Sequence, residues 1–385
     1  MATSRIWFTK TGAAVGCSTS FTGRHTVAVP LAPALNERGR HCFPHKAPRR
    51  SALRTVVPIA KRPQASAAAD GGATDGNPVG GLLTQPATQS RAYQLLCAVA
   101  LLGGVTRVAF TEQYLAACFQ GVATPATAVQ VAFSGASWFV VAAILHALKE
   151  AAEHGRLAST TYQRLNLAVV LHAVLMAVLD ALACRNGLVS PSVFGVHITF
   201  ALALGFVCDT INGQTDSSTS IVNTALSLGA AVPRALLSLL RPANLLSAAY
   251  AALALSAGTA GLLCLLINTR WMLAVLARHL PATIVGLELF FKRTVGNGLL
   301  TSAIALYTLK DAADRGRQDA STFRLLGHAL ALQAAISLAV MHFYRSNRGY
   351  LPPQGWTPAW QSLMIAILVV CGFSSARSAW IKRAK

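Results

Sequence analysis

The sequence predicts an all-α, polytopic transmembrane helical bundle of about eight spans, arranged as two parallel four-helix pseudo-repeats. Three observations predict it. Of the 385 residues 54% are hydrophobic and only 12% are charged, where a soluble domain carries about a quarter charged residues. From Tyr93 onward, apolar stretches recur near the ~20 residues that a helix needs to cross a hydrocarbon core with every backbone group satisfied internally. Finally, the segment Leu148–Arg156 (LKEAAEHGR) returns as Leu309–Arg317 (LKDAADRGR), and Thr161-Tyr162 returns as Thr322-Phe323 at the same offset of 161 residues.

Residues 1–69 carry 11 Lys/Arg against the single acid Glu37, and so supply half of the formal net charge of +20. They are rich in Arg, Ser, Thr and Ala and are interrupted by Pro30, Pro33, Pro44, Pro48, Pro58 and Pro63. That composition is the one of an organellar transit peptide, disordered before import. Hydroxylated residues and scattered prolines point to a plastid; Arg5, Lys10 and Arg24 near Ile6-Trp7-Phe8 are the features that would suit a mitochondrion. Residues 70–90, made of Gly, Pro and polar residues, read as a flexible linker.

The apolar spans run over about 93–110, 129–148, 165–183, 194–211, 245–268, 284–309, 324–343 and 359–376. Segments 113–122 and 271–280 are too short to cross. The offset that relates the two charged segments also places Pro191 on Pro352, and upstream Thr106-Arg107 parallels Thr269-Arg270. The chain therefore divides into a first membrane repeat at 91–211, a connector at 212–244, and a second repeat at 245–385 that ends in a basic tail. An even number of spans in each half makes the repeats parallel, about an axis along the membrane normal. Basic residues fall fourteen to seven on the side that holds both termini, which places the termini in the stroma or matrix. Trp138, Trp271, Trp356, Trp360 and Trp380 are expected as interfacial anchors.

The Leu-Lys-acid-Ala-Ala-acid-x-Gly-Arg element closes the second and sixth spans. Helical spacing pairs Lys149 with Glu153 and Lys310 with Asp314, and predicts a further step from Glu153 to Arg156 and from Asp314 to Arg317. Gly155 and Gly316 suit a left-handed stop, and Thr160/Thr161 and Ser321/Thr322 suit the next cap. These six charged residues form either a gate or docking surface on the stromal side, or a charge-satisfied hairpin that ends two spans. Ionisable groups at membrane depth are costly and mark a solute path by default. On that ground Arg107, Arg270, Asp180 and Glu288 are the candidates for lining one. Glu288 and Lys292 also stand at i,i+4, beside Gly296-Asn297-Gly298.

His146, His172, His197, His328 and His342 fall in or beside spans. A pigment or haem pair is disfavoured because His146 and His172 sit at different depths and His172 maps onto Gln333; packed, hydrogen-bonded histidines are expected. The eight cysteines are scattered without metal spacing. Nucleophile elbows, H-E-x-x-H, phosphate loops and dinucleotide loops do not occur, so no catalytic residue, metal or cofactor is assigned and the protein is read as a non-enzyme. Basic residues beyond the N-terminus sit singly between spans, which argues against nucleic acid. The expected partners are the lipid bilayer and a membrane protein complex. Two functions follow for a thylakoid or inner-envelope protein: transport of a small solute or ion through a path at the repeat interface, or a scaffold that docks through the stromal hairpins.

Overall fold

The computed structural model describes residues 85–119, 124–215, 237–266, 282–348 and 356–383. The expectations for residues 1–69, for Arg270 and for the short segment 271–280 lie outside these residues. Nine helices are named among them: α1 (Pro86–Ala109), α2 (Thr111–Cys118), α3 (Pro125–Glu153), α4 (Thr160–Arg185), α5 (Pro191–Thr215), α6 (Leu245–Leu266), α7 (Ala282–Asp314), α8 (Ser321–Arg348) and α9 (Trp356–Arg383). Among the described residues there is no strand, only an isolated antiparallel bridge between Phe119 and Val189.

Seven of these helices (α1, α3, α4, α5, α6, α8 and α9) are long and apolar enough to cross a membrane. The chain is an all-α multi-pass membrane protein. The eighth expected span, 284–309, is helical too, but as α7 it is the polar exception. Glu288, Lys292, Arg293 and Asn297 lower its hydropathy. Its position explains why they are tolerated. No residue from 286 to 314 is exposed, so α7 meets protein instead of lipid and can carry groups that a lipid-facing helix cannot.

Helices α3 and α7 lie side by side as the inner pair. Helix α1 packs along α3, and α6 along α7. Helix α4 lies against α7 as well as α3, whereas α8 lies chiefly against α3; α5 covers α4, and α9 covers α8. The stretches 91–211 and 245–385 therefore do not form separate four-helix bundles. Each lends its third long helix to the other's centre.

Glycine sets two close backbone crossings. A Cβ on Gly135 would stand 2.7 Å from Arg107 Cβ and 3.0 Å from the Gly104 carbonyl oxygen. A Cβ on Gly296 would stand 2.8 Å from both Cys264 Cβ and the Gly261 carbonyl oxygen. Such approaches bring backbones together where the lipid gives helices no hydrophobic reason to associate. Arg107 Cβ faces Gly135 at the first crossing and Cys264 Cβ faces Gly296 at the second.

Helix ends follow local chemistry. Gly155 (φ +61°) and Gly316 (φ +64°) adopt the left-handed stop. The Arg156 N–H then returns to the Ala151 carbonyl at 2.8 Å, and the Arg317 N–H to that of Ala312 at 2.9 Å, which satisfies carbonyls the helix end leaves open. Two expectations are corrected here. Helix α1 begins at Pro86, inside the expected linker, because proline needs no N–H in the first turn. The cap position before α4 is Ser159, not Thr160 or Thr161, and its side chain makes no capping bond.

Candidate functional site

Near the ends of α1 and α4 and the start of α5, five elements line a half-open cavity of about 260 Å³. Arg107 (α1), Tyr114 (α2), Trp138 (α3), Asp180 (α4) and His197 (α5) line it, with Phe200 along one wall. The sequence order of these residues explains the meeting. A break at Phe110 separates α1 from the short α2, and this turns Tyr114 back over Arg107. Gly104 against Gly135 brings α1 close enough for Trp138, one turn further along α3, to reach the same guanidinium.

Arg107 is only 8% exposed. Its guanidinium carbon lies 5.1 Å from the ring centres of both Tyr114 and Trp138, and its Nε donates to the Tyr114 hydroxyl at 3.2 Å. Among the described residues no carboxylate lies within ion-pair distance of it. An arginine at the centre of a span costs about 2.5–3.5 kcal/mol on insertion scales, and less near the end of a span, where Arg107 lies. Two desolvated cation–π contacts, about 1–2 kcal/mol each, are of the size that offsets this cost. They neutralise no charge, however.

Asp180, 1% exposed, faces the same cavity. Its Oδ1 lies 3.5 Å from His197 Nδ1, and neither atom has a hydrogen-bond partner among the described residues. The His197 ring stacks at 6.4 Å on Tyr114. One small space thus holds a cation, a carboxylate, an imidazole and two hydrogen-bonding aromatic rings, with Asp180 Oδ1 and His197 Nδ1 left without a hydrogen bond among the described residues. Buried groups in that condition call for an explanation.

Of the four path candidates, the structure brings Arg107 and Asp180 together. Glu288 lies elsewhere, at the head of α7, where its Oε1 accepts from the Thr124 hydroxyl at 3.1 Å; Thr124 also caps α3 through the Thr127 N–H at 3.0 Å. Tyr114, His197 and Trp138 are the residues that sequence reasoning did not select for the site. Trp138 is a buried pocket wall, not an interfacial anchor. The bulky aromatic at the start of the short α2, just after an arginine that ends a span, is the signal that could have pointed to Tyr114.

Among the described residues α3, α4, α7 and α8 pack closely where the halves meet. Ser137 occupies the space where a Cβ on Gly298 would stand. Gln333 accepts from the Ser302 hydroxyl at 2.8 Å and donates to Ser137 at 3.3 Å. His172 Nδ1 bonds Thr301 Oγ1 at 2.9 Å, while Asn297 donates to the His172 carbonyl at 3.0 Å. His172 is the packed, hydrogen-bonded residue expected, with its ring edge-to-face on Trp138. These bonds fix the relative register of α3, α4, α7 and α8 with neutral partners.

At the opposite end, Lys149 Nζ meets Glu153 at 2.8 Å and Lys310 Nζ meets Asp314 at 2.7 Å, as the spacing predicts. The carboxylates then turn to serines on the preceding helices: Ser90 donates to Glu153 at 2.8 Å, and Ser247 to Asp314 at 2.5 Å. The expected steps from Glu153 to Arg156 and from Asp314 to Arg317 do not form. The helices stop at the glycines, so helical spacing no longer applies, and both arginines point outward, exposed. Lys310 is buried, and it donates to the Ser238 carbonyl at 2.6 Å. Partial burial would raise the Asp314 carboxyl, but Lys310, Ser247 and the Ala243 N–H together hold it below the usual carboxylate range. In the second half the hairpin charges are consumed by the chain's own segment 238–247, whereas Lys149 and Glu153 keep more exposure.

No family model matches the chain, and comparison with curated proteins yields no significant match.

Proposed function

We propose that this protein is a membrane carrier for a small molecule, built from two head-to-tail copies of a four-helix unit and holding its cargo at the Arg107–Asp180–His197 cavity. One observation carries the proposal: a buried guanidinium without a carboxylate partner shares a cavity with a buried carboxylate whose Oδ1 has no hydrogen bond. Ionic groups at membrane depth are retained at a cost in stability, and cargo that completes their pairing is the reason to retain them. The binding place on this reading is inside the first half. The packed contacts of Ser137 with Gly298 and Gln333 argue against a standing path between the halves.

Duplication is supported by contacts that recur in matching order: the Gly104–Gly135 and Gly261–Gly296 crossings, the Ser90–Glu153–Lys149 and Ser247–Asp314–Lys310 clusters, and the left-handed Gly155 and Gly316. At the second crossing Cys264 faces the glycine, as Arg107 does at the first. Breaking the symmetry at one place is what a single cargo site in a duplicated carrier requires. Composition supports a plastid membrane, entered by way of residues 1–69, with both termini on the stromal side.

The scaffold reading has one observation in its favour, the outward Arg156 and Arg317 at two matched turns. Reconstitution into vesicles separates the two. On the carrier reading Arg107→Gln and Asp180→Asn abolish uptake of the cargo, while Arg156→Ala with Arg317→Ala leaves it intact. Co-purification with a membrane complex that is lost in the arginine pair and kept in the cavity variants would replace this proposal with the scaffold.

A further inference from the structure

Beside the cavity, a groove of about 690 Å³ runs between α1 and α5. The two spaces share Val99, Val196 and Phe200 as walls. The groove opens outward, since Leu95 and Val196 at its lips are 68% and 70% exposed, on a helix pair that scarcely touches. Its floor is made by short side chains at helical spacing on α5, Ser192, Gly195, Thr199 and Ala203. That row leaves a trough along about 16 Å of helix.

The polar and apolar parts are ordered along the membrane normal. Arg107 lies one turn from the end of α1 and Asp180 close to the end of α4, so the charged cavity sits toward one headgroup region. The trough runs beside it along α5, from Ser192 near the start of the helix to Ala203, and past Leu95 toward the middle of the bilayer.

We propose that the cargo is a single-chain amphiphile ending in a carboxylate, which enters sideways from the lipid between α1 and α5. Its head pairs with Arg107 and its chain lies in the trough. This rests on the carrier reading and names its substrate class. The guanidinium keeps donors that no described acceptor uses, and its planar fork matches a carboxylate. The cavity offers a single guanidinium, which one carboxylate head matches, while Asp180 stays with His197 at 3.5 Å. A chain in the trough makes the contacts that α1 and α5 do not make with each other, without leaving an apolar medium.

The test uses the full chain in nanodiscs of zwitterionic lipid, with radiolabelled palmitate as the probe. Saturable binding is expected, weakened roughly tenfold or more by Arg107→Gln. Gly195→Phe is expected to weaken it comparably. A Cβ on Gly195 meets nothing within 4 Å, so the new ring fills the trough without disturbing the fold, which unchanged thermal stability verifies. Neither acetate nor hexadecanol competes, because one lacks the chain and the other the charge. Absence of saturable binding, indifference to both variants, or equal competition by hexadecanol overturns the proposal. If palmitate fails but a water-soluble solute is taken up in an Arg107-dependent way that ignores Gly195→Phe, the carrier stands and the amphiphile does not. If nothing binds through Arg107, both fall.

Discussion

Replacing Gly135 with alanine tests whether the α1–α3 crossing is closed by steric contact. The added Cβ would stand 2.7 Å from Arg107 Cβ, 2.9 Å from Val108 Cγ2 and 3.0 Å from the Gly104 carbonyl oxygen. Two of the three are a backbone atom and a Cβ fixed to the backbone, which no rotamer change can move, so α1 itself must shift outward. Overpacking of this kind costs about 1–3 kcal/mol, or a few degrees of melting temperature per kcal/mol at this size. The shift also drags Arg107 away from Trp138 and so loosens the cavity. Thermal unfolding of the purified protein in detergent, read by size-exclusion chromatography, gives the stability. The proper control is Gly195→Ala, which is helical, lies in the same first half, and meets nothing. A Gly135→Ala protein as stable as that control would refute the claim that glycine at this crossing is a steric requirement.

Three further outcomes follow from the hairpins. Lys310→Met is expected to destabilise the protein by about 1–3 kcal/mol, because it takes the Lys310 donor from the part-buried Ser238 carbonyl and leaves Asp314 with only Ser247 and the Ala243 N–H, whereas Lys149→Met at the more exposed twin site costs less; melting temperatures of the two variants compare them directly. Gly155→Ala and Gly316→Ala each place a Cβ in open space but in a left-handed conformation, for a loss of about 1–2 kcal/mol apiece in the same measurement. Asp314 lies beyond the predicted span, and its carboxyl is held below its ordinary value. Its stabilising contribution is complete above about pH 4 and is lost as pH falls through the lowered value. Protease cleavage in the 238–247 segment should therefore rise below about pH 4, and Asp314→Asn should remove that dependence.

The helix positions were legible because hydrocarbon imposes one rule, that ~20 apolar residues must be helical. The stops at Gly155 and Gly316 were legible from a local requirement for positive φ. Arg107 and Asp180 were identifiable because charge within an apolar stretch is conspicuous. Their companions were not. Tyr114 and Trp138 look like ordinary membrane residues, and only the three-dimensional path of α1 into α2 makes them the lid and wall of a cation. A shared Thr-Arg pair drew attention to Arg270, whereas the close approach of Cys264 to Gly296 has no signal in the sequence beyond the glycines themselves. Nor could hydropathy reveal that α4 and α8 cross over, since either helix buries a similar stripe whichever neighbour receives it.

The central place of α7 bears on how the chain reaches its membrane. A helix carrying Glu288, Lys292 and Arg293 partitions poorly into lipid by itself, and its shelter comes from α3, α4 and α6. The second half therefore cannot be inserted as an independent cassette. Biogenesis must retain α7 at the insertion machinery, or beside α6, until the earlier segments are there to receive it. A polypeptide beginning at Leu245 is expected to leave that helix outside the bilayer, exposed to quality-control proteolysis.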